Sequence, residues 1–530
     1  MRDWDANRLA RAAGARLVFR PDGDALPAGV GADAPSGPVR VSIDSRAVAP
    51  GDLFVGLRGA SADGGEYAAQ ALQAGAWGVL VAPEHALAVA AMAEAAGADA
   101  GVGYQGVVLA DPNPLKGLQS LARGWLAELR SVAGARVVAI TGSTGKTSTK
   151  DILAALLAPH LRTVASPANF NTEIGLPLAI LAAPADTQAL VLEMAMRGSG
   201  QIAELTAIAE PEVGVIVNVG PVHLELLGSL EAIAAAKAEL IAGLHPGATV
   251  IVPAGEPLLG EHLRDEVHTV TFGPGGDVEL ADRGHDGSVD ILDGAVRIAL
   301  RPSFAQTHNL SNLLAAVAAA RALGVTPGGE VTVRFSALRG ERIRLSEEIV
   351  LIDDCYNANP MSMRSALDDL AQTASGRRVA VLGDMLELGP DTCRFHREIG
   401  AHAAARGVDV LVTVGPLAAE MAPAFAAAEA PSGADAPARA RTIADVEAAA
   451  RAEAAARADA HSVADAPAAA ELLARLLSPG DTVLVKGSRG VGLERVGQAL
   501  LARDSRKEAH DGVRHDGVRA SPGDSPGDGR

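Results

Sequence analysis

The stretch that most limits what this chain can be is Arg136 to Asp151, RVVAITGSTGKTSTKD. A β-branched run, Val137, Val138 and Ile140, breaks into a glycine-rich turn and then into residues of helical composition. Such a strand, turn and helix deliver backbone N–H groups and a lysine to a polyphosphate. Gly142 and Gly145 let the loop curl around Ser143 and Thr144, Lys146 supplies charge at the transferred phosphate, and Thr147, followed by Ser148, is placed to hold Mg2+. The chain is therefore expected to use ATP. A strict G-x-x-x-x-G-K-[ST] loop would need a glycine at 140, where this chain has Ile140.

With 530 residues the chain is too long for one core, and at about 150 residues per domain three units are expected. The formal charge of -18 argues against nucleic acid as a partner, because a phosphate-binding face needs a dense basic surface. Cys355 and Cys393 form no disulfide framework and no metal-ligand spacing, which suits a reducing cytosol. The start, MRDWDANRLARAAG, lacks the apolar core of a signal peptide, and no uncharged run of about 18 apolar residues offers a bilayer span. A cytoplasmic monomer without membrane insertion is expected.

Strand signals alternate with Ala-rich helical runs throughout, so the fold class is α/β. Val39–Ile43 and Leu53–Leu57 are expected strands split by Pro50-Gly51-Asp52, and by pattern alone they read as a hairpin with solvated Ser45 and Arg46. Strands at 137–141, 189–193 and 213–219, each leading into a helical pattern, imply a parallel sheet, whose ligands gather at the carboxyl ends of the strands. The phosphate loop, Glu193 and the loop holding His223 are then expected to converge. After Ser229, the residues Leu230, Ile233, Leu240, Ile241 and Leu244 form one apolar stripe at helical spacing, with Lys237 in its middle. Such a lysine either snorkels out or loses its charge, and a neutral amine can take up CO2 as a carbamate. THNLSNLLAAVAAARALG reads as a helix with Asn309 and Asn312 on one face. Gly134 and Thr326 to Gly329 are expected linkers, giving domains at 1–132, 133–327 and 328–503. The region 424–470 is expected to be helical pieces around a solvated loop, and the repetitive tail 504–530 to be disordered.

The loop TGSTGKT after a strand resembles the Mur ligase family, ATP-dependent amide-forming enzymes, and other motifs in family order extend the resemblance over about residues 39 to 500. It implies an N-terminal UDP-substrate-binding α/β domain, a central P-loop-type parallel-sheet ATPase domain and a C-terminal Rossmann-like domain. DSR followed by PGDLF implies that Ser45 and Arg46 face a uridine diphosphate sugar. The family commonly has D-G-H nearby, whereas this chain has Asp63, Gly64 and Gly65. SPANFNTEIGLP implies substrate contacts from Asn169, Asn171 and Thr172. Glu193 and His223 are implied ligands of a second Mg2+ beside the ion at Thr147, and HLE, GSLE and AK in this spacing match the family's carbamylated lysine at Lys237. Asn309 is implied at the adenine, with Arg342 and Asp354 on the nucleotide side.

DCYNANP and VLGDMLELG resemble the branch of the family that joins D-alanyl-D-alanine to UDP-N-acetylmuramoyl-tripeptide, and they place Asn357 and Asn359 on substrate. VKGSR does the same for Lys486, Ser488 and Arg489. Two rival readings are a ligase-like binding protein and a folylpolyglutamate-type ligase. Against the first stand intact Lys146, Glu193, His223 and Lys237; against the second stand DSR and YNANP.

Overall fold

The computed structural model describes residues 1–20, 36–97, 106–345, 348–429 and 459–516. The chain builds three sheets. It divides into two compact units, one of Met1–Gly220 with Ser229–Arg334, the other of Pro221–Gly228 with the chain from Phe335 onward.

The first sheet contains β1 (Arg16–Phe19), β2 (Arg40–Ser42), β3 (Asp52–Val55), β4 (Gly78–Val81) and β5 (Val107–Ala110), in the order β1-β5-β4-β3-β2. The expected strands at 39–43 and 53–57 are β2 and β3, but they run parallel, with Arg40 opposite Asp52. The hairpin reading is therefore corrected. Leu53, Phe54 and Val55 are all fully buried, the mark of a parallel strand covered on both faces. Helix α1 (Pro114–Ala133) starts with Asn113 accepting from the Lys116 N–H and stops at Gly134, which adopts φ +64°. Gly134 thus caps a helix rather than forming a free linker. The Trp125 indole of α1 donates to the Ala183 carbonyl at 3.0 Å, within the same compact unit.

The second sheet has ten strands: β6 (Arg136–Thr141), β7 (Thr163–Ala165), β8 (Ala189–Glu193), β9 (Val213–Ile216), β10 (Thr249–Pro253), β11 (His268–Phe272), β12 (Val278–Arg283), β13 (Val289–Asp293), β14 (Val296–Pro302) and β15 (Gly329–Val331). The three expected strands are β6, β8 and β9, and β6 lies between the other two in parallel register. Val137, Val138 and Ile140 are fully buried, each contributing roughly 1.5–3 kcal/mol of burial. β12 to β14 form an antiparallel extension that the sequence reading did not anticipate. β15 pairs with β14, so the boundary expected at 327 falls after Arg334 instead. Turn residues at 326–329 only lead the chain into one more strand. Helices α2 (Lys146–Leu157), α3 (Leu230–Gly243) and α4 (Thr307–Ala322) belong to this unit.

The third sheet contains β16 (Glu341–Arg344), β17 (Val350–Asp353), β18 (Arg378–Gly383), β19 (Val410–Val414), β20 (Asp459–Val463) and β21 (Thr482–Lys486), in the order β16-β17-β21-β18-β19-β20. Only β16 is antiparallel to its neighbour. Side chains alternate between two cores. Ile352, Leu382 and Leu484 pack with α5 (Pro360–Thr373), α6 (Thr392–Ala405) and α7 (Met421–Glu429), while Leu351, Val381 and Val483 pack with α8 (Ala466–Leu476) and α9 (Glu494–Asp516). Helix α9 runs past 504, correcting the expectation of disorder from that point: extending an existing helix needs no new nucleus. The rest of that tail, and 430–458 of the Ala-rich region, lie outside the described residues. Among the described residues no helix is long and apolar enough to cross a membrane.

His396 of α6 is fully buried, accepting from the Met385 N–H at Nε2 (2.9 Å) and facing the Thr392 carbonyl with Nδ1 (2.7 Å). Those partners require the neutral ring, and burial holds its pKa below the ordinary 6.5. Below pH 6.5 the unfolded chain binds a proton that the folded one refuses, so this contribution is complete above 6.5 and is lost as pH falls toward the folded value. Urea midpoints measured at pH 7.5 and 5.5 are expected to drop less in His396→Gln than in the wild type.

Candidate active site

The phosphate loop leaves β6 and enters α2 at Lys146. Gly145 has φ +78°, and a Cβ there would lie 2.5 Å from Asn312 Oδ1 and 3.1 Å from Val217 Cγ1. Only glycine satisfies both the conformation and the approach of α4. The loop is stitched to the chain beyond β9. The Ser143 N–H donates to the Asn218 carbonyl (3.1 Å), the Thr144 N–H donates to Asn218 Oδ1 (2.9 Å), and the Ser143 hydroxyl donates to the Gly220 carbonyl (3.0 Å). Asn218 was not singled out from sequence. It lies inside the strand expected over 213–219, but β9 ends at Ile216 and leaves Asn218 just beyond it, so a polar residue near the end of an apolar run was the only available signal.

Beneath the loop, the Thr147 hydroxyl donates to Glu193 Oε2 at 2.8 Å, and the Asn171 amide donates to Glu193 Oε1 at 2.8 Å. Glu193 is 2% exposed at the carboxyl end of β8, and its N–H donates to the Ser166 hydroxyl. The sequence-selected trio Thr147, Asn171 and Glu193 is thus brought together. A hydroxyl, a carboxylate and an amide oxygen are hard donors of the kind Mg2+ takes. Lys146 Nζ donates to the Gly142 carbonyl at 2.8 Å, and Thr141 Oγ1, buried at the head of the loop, has no hydrogen-bond partner. An oxygen-rich, lysine-bearing loop with an unsatisfied hydroxyl fits a magnesium nucleotide.

Lys237 on α3 is 2% exposed among the buried Ile233, Ala234, Leu240 and Ile241. Burial, with the nearby charge of Lys146 adding to it, drives its pKa well below the ordinary lysine value. It does not snorkel. Leu230, expected on the same stripe, is 39% exposed because it begins the helix, beyond the edge of the core. Asn309 and Asn312 are both buried, linked by Asn312 Nδ2 to Asn309 Oδ1 at 3.3 Å, and they pack α4 against the phosphate loop. Asn169 offers only its carbonyl, to the Asn171 N–H, and Thr172 accepts from the Gly175 N–H, shaping the same turn.

In the first sheet's domain, Ser45 opens a short 3-10 turn and Arg46 forms a double hydrogen bond with Asp44, whose carboxyl it holds down to about 2. Where the family commonly carries a histidine, Gly65 lies against the imidazole of His85: a Cβ at 65 would meet His85 Cδ2 at 2.2 Å. His85 Nε2 sits 3.1 Å from Asp63 Oδ2. This ring, twenty residues on in sequence, could not be placed there without the fold.

In the second unit, His223 Nδ1 is hydrogen-bonded to Glu387 Oε2. Neutral imidazole donating there carries its lone pair on Nε2. Lys486 is buried at the end of β21, pairing with Asp354 Oδ2 at 2.7 Å and donating to the Asn357 carbonyl at 3.0 Å. The Ser488 hydroxyl accepts from the Leu386 N–H. Asn359 caps α5 in a reciprocal bond pair with Ser362, its Oδ1 accepting from the Ser362 N–H. Arg342 pairs with Asp369 and with the Thr373 hydroxyl of α5. Arg489 lies over the Tyr356 ring.

Comparison with known proteins agrees with this architecture. Residues 39–125 match the Mur ligase family catalytic domain, 140–320 the Mur ligase middle domain, and 338–489 the Mur ligase glutamate ligase domain. The UDP-N-acetylmuramoyl-tripeptide--D-alanyl-D-alanine ligase of Synechocystis is 38% identical over 70% of this chain and 78% of its own length. The enzyme of that name from Mycobacterium tuberculosis H37Rv is 37% identical over 88% of this chain and 92% of its own. Among solved structures, MurF from Acinetobacter baumannii superposes with a TM-score of 0.71 at 25% identity, covering 94% of this chain and 99% of that one. MurF from Thermotoga maritima in complex with ADP gives 0.68 at 27% identity, covering 88% and 98%. The chain belongs to the Mur ligase family.

Proposed function

We propose that this chain is the ATP-dependent ligase that joins D-alanyl-D-alanine to UDP-N-acetylmuramoyl-tripeptide in the cytoplasm, giving the pentapeptide precursor of peptidoglycan, ADP and phosphate. The observation that carries the reading is the glycine-locked phosphate loop with Thr147, Asn171 and Glu193 clustered beneath it, in a chain similar along most of its length to ligases of that name.

A carboxylate is a poor acyl donor, so the tripeptide's terminal carboxylate attacks the γ-phosphorus and ADP leaves. The dipeptide amine then attacks the acyl carbon and phosphate departs. Loop N–H groups and Lys146 receive the charge of the transferring phosphoryl group, with Lys146 giving up its carbonyl contact at Gly142 to do so. Bound at Thr147 and Glu193, Mg2+ supplies charge neutralisation. His223, oriented through Glu387, is proposed as a metal-binding imidazole of the second unit. Lys237, its pKa lowered by burial in the apolar stripe, would add to CO2 as the neutral amine and release a proton, leaving a carbamate anion that could support bound Mg2+. Asn309 is assigned to the adenine side of the nucleotide. Ser45 and Arg46 are assigned to the uridine diphosphate, with Arg46 exchanging Asp44 for phosphate. Substrate contacts are further assigned to Asn169, Asn171, Thr172, Asn357, Lys486, Ser488 and Arg489. Arg342 and Asp354 are assigned to the nucleotide through the elements they brace.

Phosphate release from ATP, measured with a panel of UDP-muramoyl peptides, is expected only when tripeptide and D-alanyl-D-alanine are both present. Release with a single amino acid in place of the dipeptide would sink the assignment. Lys146→Ala is expected to lower turnover by about 100–1,000-fold, as for removal of a group aimed at developing charge. Lys237→Ala is expected to lose nearly all ligation while keeping its fold, since alanine favours the helix, and short carboxylic acids should restore part of the rate. Activity that survives the substitution, or fails to respond to acid, removes the carbamate from the scheme.

A further inference from the structure

The third sheet contains a place where neighbouring strands send their chains to opposite faces. β17 leads into α5, whose Met363, Leu367 and Leu370 lie in the core shared with Ile352 and Leu484. β21, hydrogen-bonded beside it in parallel, leads into α9, whose Val496 and Leu500 lie in the core shared with Leu351 and Val483. Loops that part in this way open a crevice at the carboxyl ends of the strands, where α/β sheets bind ligands. Tyr356 follows β17 and Arg489 follows β21, so both stand at this opening.

Two guanidinium groups approach one ring there. Arg339 Cζ lies 3.9 Å from the Tyr356 ring centroid, and Arg489 Cζ lies 5.4 Å from it. Several arginines of this unit have carboxylate partners, Arg342 with Asp369, Arg364 with Glu398, Arg377 with Asp481 and Arg397 with Glu420, while Arg378 and Arg503 donate to backbone carbonyls. Among the described residues neither Arg339 nor Arg489 has a carboxylate partner. Asp354, two residues before Tyr356, is taken by Lys486. Two cations on one aromatic ring, without an internal anion, await an external one. A guanidinium stacked on a ring keeps its N–H edge available for a carboxylate in its own plane.

We propose that Arg339 and Arg489, set by Tyr356, bind the free carboxylate of the incoming dipeptide. The proposal rests on the ligase reading above. The dipeptide has two charged ends, and its amine must remain unhindered for attack on the acyl carbon. Recognition therefore falls on the carboxylate, which no other group assigned so far receives. Arg339 supplies the specificity, and Tyr356 is a positioning residue.

The test varies D-alanyl-D-alanine and its carboxamide, D-alanyl-D-alaninamide, at saturating ATP and UDP-tripeptide, in the wild type, Arg339→Ala and Tyr356→Leu. The expected results are a KM for the dipeptide raised about tenfold or more in Arg339→Ala, the strength of a hydrogen bond to a charged group, and an unchanged KM for ATP. The amide should be a poor substrate for the wild type and no poorer for the variant, and Tyr356→Leu should follow Arg339→Ala in weakened form. Equal losses for acid and amide, a shifted KM for ATP, or an unchanged dipeptide KM would each overturn the proposal while leaving the ligase reading intact. A wild type that ignores the dipeptide altogether overturns both.

Discussion

Gly145 combines φ +78° with a close approach of Asn312 Oδ1 and Val217 Cγ1 to where a Cβ would stand, so α4 and the phosphate loop pack around a residue that only glycine fills without strain. From that contact the rest of the catalytic unit can be followed outward. Asn312 is held by Asn309 one helical turn earlier, which fixes the face that α4 presents. On its other side the loop is laced to Asn218 and Gly220, and through them to β9. β6 lies between β8 and β9, so the loop and Glu193 emerge from adjacent strands at the same edge. The donor cluster of Thr147, Asn171 and Glu193 is a consequence of strand order.

The cluster is expensive to bury, and its partners explain why it persists. Glu193 is almost wholly enclosed, yet one oxygen accepts from a hydroxyl and the other from an amide. A buried carboxylate so bonded is kept from the full cost of desolvation. Lys237 has no such relief: an apolar stripe surrounds it and Lys146 adds like charge. A core position that excludes a cation and lies near a second one favours a neutral or anionic group, and methionine or leucine would pack there at less cost. A lysine retained at such a site points to chemistry.

Local pattern made some of this legible. The β-branched run before TGSTGKT gave β6, and the helical spacing around Lys237 gave its burial, because both signals lie within one element. Leu230 misled, since periodicity describes a helix face but not where the core begins. Pairings between distant residues were out of reach. His223 with Glu387, Gly65 with His85, and Arg342 with Asp369 depend on how elements are brought together rather than on what each contains. Asn359 lies in a motif that implies substrate contact, yet N-P-x-S is also a helix start, and its Oδ1 and backbone N–H are engaged with Ser362.

The third domain repeats the logic of the second with different means. In the catalytic unit a glycine loop supplies the positive field through backbone N–H groups and Lys146, which suits a polyphosphate. At the β17 and β21 edge the cations are arginines, and the aromatic ring they share limits their orientation. The Lys486 to Asp354 pair, buried at the same strand ends, contributes little net charge and instead ties the Asn357 carbonyl to β21. Breaking it would leave a charge uncompensated in the sheet, a larger penalty than the pair's own contribution. Lys486 therefore sets the shape of the crevice floor, and the groups free to attract an anion are the two arginines at its rim.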